Sequence, residues 1–468
     1  MPKVLIVTND FPPRSGGIQS FVHALATRLP AGTVTVYAPA WEGAADYDAR
    51  QPFPVIRHPT SLMLPVPSVS RRAVRILADH GCDTVLFGAA APLGLLAPAL
   101  RRAGARRIVA LTHGHEAGWA ALPGARTLLR RIGDQVDVVT YLGEYFRVRL
   151  ARALSPQAAG RMVRLAPGVD PAAFRPGVGG AAVRQQLGLE GRPIVLCVSR
   201  MVPRKGQDTL LRAWPQVLAV AGNGLSGAAG NKLSGRTGNG PGRGAEDAVG
   251  RAAVSRPGGG AGDAAGRAGI GGPGGGAGDA AGRAGVRGPG GAAGDAAGRV
   301  GGPGDAAGGA GSSSGGPVLL LVGNGPYRAE LGRLASRLGV ADSVVFTGPG
   351  SWQDLPAYYD AADVFAMPCR TRRHGLDVEG LGIVYLEASA AGLPVIGGDS
   401  GGAPDAILPG ESGYVVPGGD VAAVAGRLTQ LLGDPAAAAA MGEKGMAWVE
   451  REWRWELVAR RLQRILAG

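Results

Sequence analysis

Residues 4–22 read VLIVTNDFPPRSGGIQSFV, a sequence that predicts a buried strand, a glycine-containing loop and the beginning of a helix. Val4–Val7 is an unbroken apolar run, as in the strands of a parallel sheet that helices cover on both faces. The helix is predicted over Gln19–Leu29, and short β-branched runs alternate with helix-length segments from there onwards. This pattern indicates the α/β class and a doubly wound parallel sheet.

The alternation occurs twice, once in each half of the chain. In the first half we predict strands at Val34–Ala38, Val55–Arg57, Thr84–Gly88, Arg107–Thr112, Val136–Tyr141 and Met162–Ala166. In the second half we predict strands at Pro193–Ser199, Val318–Gly323, Ser343–Thr347 and Val364–Met367, with helices at Gln207–Ala221, Tyr327–Leu338, Asp354–Ala362 and Ile383–Ala391. We therefore expect two Rossmann-like domains, over residues 1–185 and 186–450. A helix in residues 451–468 is expected to pack back towards the first domain through its apolar stripe.

The second domain is interrupted by a glycine-rich segment. Of the 81 glycines in this 468-residue chain, 37 lie among the 96 residues 221–316, which contain no aromatic residue. The motif P-G-G-x-A-G-D-A-A-G-R recurs there, starting at Pro257, Pro273 and Pro289. Such a composition cannot bury enough apolar surface to offset the entropy lost on ordering, so we expect a disordered low-complexity insert over residues 222–315. A tolerated loop expansion explains it better than an interaction tail.

Charge, cysteines and hydropathy restrict the class of protein. The net charge of +13 suits a nucleic acid, an anionic membrane or a phosphorylated ligand, and cannot choose among them. The three cysteines lie far apart, which argues against a disulfide framework or a zinc site. There is no run of 18 apolar residues, and Met1-Pro2-Lys3 leads directly into a strand. We therefore expect a cytoplasmic protein with neither a signal peptide nor a membrane-spanning helix.

Two loops in the sequence are suited to phosphate binding. Gly16 and Gly17 precede a predicted helix, so backbone amides at its positive end can approach an anion, although a plain tight turn is the alternative. The spacing is not G-x-G-x-x-G, which disfavours a nicotinamide or flavin site. In Ser199–Asp208, Arg200 can hold a phosphate with two hydrogen bonds and Lys205 adds a point charge. Solvated basic residues before a helix are the alternative there.

A third motif, D-V-E-G-L-G-I-V-Y-L-E-A from Asp377, carries two glutamates separated by seven residues. If a helix begins near Leu381, Glu379 lies in the loop before it and Glu387 lies one or two turns inside. Amides around Leu381, Gly382 and Ile383 then face a phosphate, and the carboxylates accept hydrogen bonds from hydroxyls on either side of it. Two surface glutamates are the alternative, which the apolar neighbourhood disfavours.

The fourth motif is Thr112-His113-Gly114-His115-Glu116, which follows a predicted strand. Two histidines and a glutamate can bind a metal, but no third ligand cluster is evident and the H-E-x-x-H spacing is absent. We therefore predict that His113 faces a ligand at the carboxyl end of the strand and that no metal is bound.

Together these residues resemble the retaining glycosyltransferases of family 4, which have the GT-B architecture of two Rossmann-like domains facing across a cleft. The resemblance covers nearly the whole chain apart from the insert. Longer strings are similar to one subgroup, the phosphatidyl-myo-inositol mannosyltransferases that add the second mannose: VTNDFPPR, FGAAAPL, THGHEAGW, SRMVPRKGQD and GLDVEGLGIVYLEA. The resemblance implies transfer of mannose from GDP-mannose to a phosphatidylinositol monomannoside at a membrane surface, without a permanently bound cofactor or an essential metal.

The resemblance also implies roles for individual residues. The diphosphate would be neutralised by Arg200 and Lys205, the ribose would be bound by Glu387, and the mannose hydroxyls would be held by Glu379. His113 would lie near the donor sugar. The loop closing over the phosphates would include Gly16 and Gly17, the helix amides would be those of Leu381, Gly382 and Ile383, and Asp10 is a candidate acceptor contact.

Basic and apolar residues in the first half suggest a surface for anionic lipid. The residues are Arg101, Arg102, Arg106 and Arg107, and then Arg126, Leu128, Leu129, Arg130 and Arg131. With that surface we expect peripheral association with the inner face of the cell membrane; ordinary faces of soluble helices are the alternative. Two other functions stay open: a UDP-sugar transferase acting on a soluble acceptor, and a nucleic-acid-binding protein, which the absence of aromatic residues from the insert disfavours.

Overall fold

The computed structural model describes residues 2–14, 16–114, 116–229, 315–351 and 353–468. Most of the predicted insert, residues 230–314, therefore lies outside the described residues, and so does the prediction of disorder made for it. Within the described residues, the helix predicted to end at Ala221 continues to Ala229. No proline interrupts residues 222–229, and each added residue extends an existing helix by one hydrogen bond.

The first half of the described chain forms a parallel seven-stranded sheet with the strand order β3-β2-β1-β4-β5-β6-β7. Its strands are β1 (Val4–Val7), β2 (Val34–Pro39), β3 (Val55–His58), β4 (Thr84–Phe87), β5 (Arg107–Ala110), β6 (Val138–Tyr141) and β7 (Val163–Arg164). Its helices are α1 (Gly17–Ala26), α2 (Ala44–Asp48), α3 (Pro67–Asp79), α4 (Ala97–Arg102), α5 (Glu116–Ala121), α6 (Pro123–Gln135), α7 (Glu144–Ala151) and α8 (Pro156–Gly160). The strand β1 is buried along its whole length between β2 and β4, as its apolar run predicts.

The second half forms a parallel six-stranded sheet with the order β10-β9-β8-β11-β12-β13. Its strands are β8 (Ile194–Val198), β9 (Val318–Val322), β10 (Val344–Gly348), β11 (Val364–Met367), β12 (Val395–Gly398) and β13 (Gly413–Val416). Its helices are α9 (Gly180–Leu187), α10 (Gln207–Ala229), α11 (Arg328–Arg337), α12 (Leu355–Asp360), α13 (Ile383–Ala390), α14 (Val421–Gly433) and α15 (Pro435–Glu452), and α16 (Trp455–Ala467) follows them. The α/β class and the two doubly wound sheets are confirmed.

Predicted and observed elements differ most at the edge of the first sheet. The strand predicted over Met162–Ala166 is reduced to the two residues of β7, which pairs only with β6 among the described strands. The strand predicted from Val136 begins at Val138, because Val136 caps α6 and donates its N–H to the carbonyl of Ile132. An edge strand has one neighbour to pair with, so its ends are less well determined than those of a central strand.

The chain runs from the first half to the second near Val169 and returns near Trp453, and these two segments lie side by side. Val169 donates its N–H to the carbonyl of Trp453 at 2.8 Å, and Trp455 donates to the carbonyl of Val169 at 3.3 Å. A side chain at Gly168 would approach the backbone of Trp453 and Trp455 to within 2.8–2.9 Å. Beyond this crossing α16 packs on the first half, where the ring of Trp455 lies 6.0 Å from that of Phe21.

None of the described helices combines the length and the apolar character needed to cross a membrane. The two sheets and the helices around them form one compact unit. Within it, the loops that follow the carboxyl ends of the strands carry most of the predicted site residues: Asp10 follows β1, His113 follows β5 and Arg200 follows β8. Such loops are where open α/β sheets bind their ligands.

Candidate active site

Glu379, Lys205 and Arg204 form a cluster of charged side chains before the start of helix α13. Glu379, which is 6% exposed, accepts a hydrogen bond from Lys205 Nζ at 2.6 Å and another from Arg204 Nη1 at 2.6 Å. Arg204 also reaches Asp377, with 3.3 Å between Nε and Oδ1. Burial alone raises the pKa of the Glu379 carboxyl, but the charges and hydrogen bonds of Lys205 and Arg204 outweigh it, so this pKa lies below its ordinary value. Glu379 is therefore ionised at neutral pH.

The loop that carries the two cations has a conformation that only glycine adopts readily. Pro203–Lys205 form a single 3₁₀ turn after β8, and Gly206 follows with φ +78° at the start of α10. A side chain on Gly206 would lie 2.0 Å from the carbonyl oxygen of Pro368. Gly206 thus passes close to Pro368, the residue that follows β11. Lys205, just before Gly206, points inwards, is 9% exposed and reaches Glu379.

Sequence reasoning assigned the cationic role to Arg200 and Lys205, and the structure divides these two residues. Lys205 contacts Glu379, whereas Arg200 is exposed at the carboxyl end of β8, and its backbone carbonyl accepts a hydrogen bond from Gln207. Arg204 was missed as a site residue, although it lies inside the quoted string SRMVPRKGQD. Sequence spacing alone does not reveal that both of these adjacent cations reach the same carboxylate.

Glu387 has a different environment from Glu379. It lies on α13, is 2% exposed, and accepts a hydrogen bond from the hydroxyl of Tyr359 at 2.7 Å. Burial raises the pKa of its carboxyl to about 7, and the hydrogen bond from Tyr359 opposes part of that rise. Tyr359 is itself fully buried, and burial together with the neighbouring carboxylate raises the pKa of its phenol well above the ordinary value. The pKa of Glu379 is thus lowered, whereas the pKa of Glu387 is raised.

Helix α13 begins at the first residue of the predicted range Ile383–Ala391. Its first residue is Ile383, and Gly382 precedes it with φ +78°. A side chain on Gly382 would meet the ring of Tyr385 at 2.4 Å, so both the space and the backbone conformation require glycine. Leu381 is buried in the turn before the helix. In this first turn the amide of Tyr385 donates to the carbonyl of Gly382 at 3.0 Å, while the helix itself offers no earlier carbonyl to the amides of Ile383 and Val384.

In the first half, the predicted acceptor contact is held by a side chain that sequence reasoning missed. Asp10 Oδ1 accepts a hydrogen bond from Gln19 Nε2 at 2.7 Å, and Gln19 is buried on α1. Gly17 is the first residue of this helix, and Gly16 before it is extended and exposed. The quoted string contains Gln19, but only the fold shows that it points back to Asp10.

His113 lies after β5, as predicted. Its Nε2 bonds to the carbonyl of Gly88, so this nitrogen carries the proton, since a carbonyl can only accept. Its backbone N–H donates to Glu116 Oε2 at 2.9 Å. A side chain on Gly380, next to Glu379, would lie 3.4 Å from the carbonyl oxygen of His113, so loops from both halves meet here. His115 lies outside the described residues, and among the described ones no three acidic, histidine or cysteine side chains group as metal ligands do.

Two family models match the chain. The one described as "Glycosyltransferase Family 4" matches residues 15–173, and the one described as "Glycosyl transferases group 1" matches residues 314–448. The segment between these two matches contains the loop of Arg204 and Lys205 as well as the predicted insert.

Two relatives and one solved structure are similar over almost their full length. A protein of Mycolicibacterium smegmatis named GDP-mannose-dependent alpha-(1-6)-phosphatidylinositol monomannoside mannosyltransferase is 44% identical over 99% of this chain and 98% of its own. The protein of the same name from Mycobacterium tuberculosis is 42% identical over 100% and 99%. The structure of Anabaena Alr3699/HepE in complex with UDP and glucose covers 100% of both chains with a TM-score of 0.67, but at 15% identity it supports the GT-B fold alone.

Proposed function

Because this chain belongs to glycosyltransferase family 4, and to the branch of GDP-mannose-dependent phosphatidylinositol monomannoside mannosyltransferases within it, we propose that it transfers mannose from GDP-mannose to a phosphatidylinositol monomannoside with retention of anomeric configuration. The observation that carries the proposal is the contact of Lys205 and Arg204 with Glu379 beside the loop of His113. A buried lysine and a half-buried arginine beside a carboxylate suit a diphosphate next to a sugar, which supports the proposal.

Donor binding would rearrange the charge cluster. Lys205 is bonded to Glu379, and a diphosphate would compete for it. Both cations contact Oε2 of Glu379, so when Lys205 turns to the phosphates, Glu379 keeps Arg204 on that oxygen and offers Oε1 to the mannose hydroxyls. The exposed guanidinium of Arg200 then closes onto the phosphates from the solvent side.

The same cations promote cleavage of the sugar–phosphate bond. As the bond from the anomeric carbon to the phosphate breaks, negative charge builds on GDP and the sugar becomes cationic. Each preorganised donor at the leaving phosphate stabilises this charge by about 3 to 4 kcal/mol. The acceptor hydroxyl attacks from the face that the leaving group vacates, and the phosphate takes its proton. No metal is assigned a role, so we expect a chelator to leave the activity unchanged.

The remaining predicted residues have supporting roles in this proposal. The ribose hydroxyls bind Glu387 at the buried end of the site, the amides of Gly16, Gly17 and those before α13 cover the phosphates, and His113 lies beside the sugar. Asp10, fixed by Gln19, contacts the acceptor. These residues come from both halves, so donor binding draws the halves together.

For the membrane contact we propose a different surface from the one that the sequence suggested. In the surface that the sequence suggested, Leu129 is buried and Arg101 pairs with Asp137 near the beginning of β5, whereas Leu128 is 38% exposed and Arg126, Arg130 and Arg131 are exposed on α6. After the carboxyl end of β3, a loop that we name the apolar edge exposes Leu62 and Leu64.

The apolar edge (Leu62, Leu64 and Val66) exposes 55%, 49% and 41% of these side chains. Met63 between them is buried, and Asn9 holds it through hydrogen bonds to its N–H at 2.8 Å and its carbonyl at 2.9 Å. Three exposed arginines follow on α3, at Arg71, Arg72 and Arg75. Exposed apolar side chains beside cations bind anionic lipid at about 1 kcal/mol per cation. This edge, next to Asp10, would bring a lipid-borne acceptor to the site at the inner face of the cell membrane.

The activity is tested by incubating the protein with labelled GDP-mannose or UDP-sugars, with and without vesicles that contain phosphatidylinositol monomannoside. Label from GDP-mannose in the lipid fraction supports the proposal, and Lys205→Ala should abolish most of it. Label that enters only a soluble product, or only from a UDP-sugar, contradicts it.

The membrane contact is tested by vesicle flotation of Leu62→Ser/Leu64→Ser. The pair should lose association with phosphatidylinositol vesicles and keep its folded stability. Val220→Ser, which changes a 45% exposed side chain on α10, serves as the control and should float like the wild type. Unchanged flotation of the Leu62/Leu64 pair would move the membrane contact elsewhere.

A further inference from the structure

A cationic cavity of about 580 Å³ lies between α16, the end of α15 and strand β7. Among the described residues that line it are five arginines and one carboxylate, that of Glu452, which pairs with Arg451. The five arginines are Arg164, Arg451, Arg460, Arg461 and Arg464. None of the residues assigned to the active site lines this cavity.

Three of the arginines come from α16. Arg464 lies four residues after Arg460 and three after Arg461, the two spacings at which side chains are neighbours on a helix, while Val458 and Leu462 are buried. Within the described part of the chain, no carboxylate lies within ion-pair distance of these three guanidiniums. These three cations therefore face the cavity without an ion pair among the described residues, and the carboxylate nearest in effect is that of Glu452, which favours the charge of Arg461.

The cavity also shows electrostatic repulsion that an anion would relieve. Burial lowers the pKa of Arg461 below its ordinary value, and the like charges of Arg164 and Arg464 lower it further. Arg164 lies over the ring of Trp453, 4.7 Å from its centre. The indole Nε1–H of Trp453, a residue that is 4% exposed, has no acceptor among the described residues.

We propose that this cavity is a second binding site, for a soluble phosphorylated anion carrying at least two negative charges. Guanidinium groups bind phosphate oxygens through paired hydrogen bonds, and five of them around one cavity outnumber its single carboxylate. A volume of about 580 Å³ lies within the range of small-molecule sites, about 300 to 1,000 Å³. The walls between the arginines are apolar, with Leu457 and Val458, so the ligand carries a ring or chain besides its phosphates.

The position of the cavity gives the ligand a role in coupling the halves. Arg164 lies on β7, just before the first chain crossing at Val169, and Arg451 lies on α15, just before the second at Trp453. An anion bound by both arginines and by α16 would tie these segments together at the hinge. Its binding would change how readily the halves close on the donor.

A soluble ligand fits better than a lipid headgroup, and this choice rests on the proposed membrane contact. The carbonyl of Ile465 on α16 accepts a hydrogen bond from Arg107 Nε at 3.1 Å, so α16 lies near the amino end of β5. The apolar edge follows the carboxyl end of β3, and β3 runs parallel to β5 in the same sheet. The cavity therefore lies near the amino ends of the parallel strands and the apolar edge near their carboxyl ends. One planar membrane does not reach both.

The experiment is a calorimetric titration of the full chain with pyrophosphate, with the active site saturated with GDP. We expect saturable binding that is weakened at least tenfold in Arg461→Gln/Arg464→Gln. The matched control is Arg333→Gln/Arg337→Gln, which removes two exposed arginines four residues apart on α11 and should bind like the wild type. Absence of binding to the wild type, or equal weakening in the control, overturns the proposal.

Two further arms separate this site from the active site and from lipid. The titration is repeated in Lys205→Ala, and binding that is lost there but retained in the Arg461/Arg464 variant overturns the proposal, since the ligand is then in the active site. Flotation on phosphatidylinositol vesicles should be equal for the wild type and the Arg461/Arg464 variant, and a loss confined to that variant assigns the cavity to a headgroup and overturns the soluble ligand. Transfer of mannose by the variant reports separately on the proposed function.

Discussion

Replacing Glu387 by glutamine should remove much of the pH dependence of the ligand-free protein's free energy of unfolding. In the folded protein, burial raises the pKa of this carboxyl from 4.5 to about 7. Between these values the folded state binds more protons at Glu387 than the unfolded state does, so the wild type loses stability as pH rises. At about 1.4 kcal/mol per unit of pKa difference, the loss from pH 5 to pH 8 amounts to about 2 to 3 kcal/mol.

The substitution isolates the charge. Glutamine keeps a side-chain oxygen that accepts the hydrogen bond from Tyr359, and it has nearly the same volume, so the buried contacts are retained. The variant should therefore be more stable than the wild type at pH 8, and the two should differ much less at pH 5. Below the unfolded pKa the wild-type carboxyl is neutral in both states and the difference disappears.

The assay is urea unfolding at half-unit steps from pH 5 to pH 8, followed by tryptophan fluorescence, with the slope in urea checked for constancy. Glu443→Gln serves as the control because Glu443 is exposed on α15, and its variant should follow the wild type at every pH. If Glu387→Gln loses stability with rising pH as steeply as the wild type, the buried carboxyl does not titrate near neutrality and the reasoning is refuted.

Three other substitutions test the site and the hinge. Lys205→Ala should lower kcat/KM for GDP-mannose by about 10² to 10³, with unchanged circular dichroism, because it removes the cation that meets the diphosphate; a smaller effect would assign that role elsewhere. Arg204→Gln should raise KM for the donor by about tenfold with a smaller change in kcat, since Glu379 then has no cation left when Lys205 turns to the phosphates; an unchanged KM contradicts this exchange. Gly168→Ala should lower the free energy of unfolding by about 1 to 3 kcal/mol, because the added side chain meets the backbone of Trp455 at 2.8 Å. Gly160→Ala is the control and should leave that free energy unchanged, because there is open space around Gly160. Equal denaturation midpoints for the two variants would show that the backbone near Gly168 can shift to make room.

Much of the fold could be predicted because the strands are buried parallel strands. Val4–Val7 and Val364–Met367 are predicted with their observed bounds, since each is an uninterrupted apolar run. Strand β12 was missed because its second half is Gly397–Gly398, and glycine is uncommon in strands. The structure shows the reason for these glycines: a side chain at Gly398 would lie against the carbonyl of Cys369.

The sequence predicts which loops carry the candidate site residues, but it does not predict the hydrogen bonds that these residues make. Motif strings placed Glu379, Lys205 and His113 in neighbouring loops, because loops at the carboxyl ends of parallel strands converge. They did not show that Gln19 holds Asp10, or that Tyr359 faces Glu387 from 28 residues away. Such partners are set by packing between elements, for which a local pattern carries no signal.

The opposite pKa shifts of the two glutamates follow from what each one contacts, and in the proposed function they would give the two residues different tasks in donor binding. Glu379 is surrounded by two cations and stays ionised, so the arriving diphosphate must take Lys205 from a carboxylate that already has a second partner. Glu387 has only a neutral hydroxyl beside it and a pKa of about 7, so it can meet a ribose either as an acceptor or, when protonated, as a donor. In the proposed function, the diphosphate end of the donor would therefore be recognised by an exchange of ion pairs, and the nucleoside end by hydrogen bonds whose direction changes with pH.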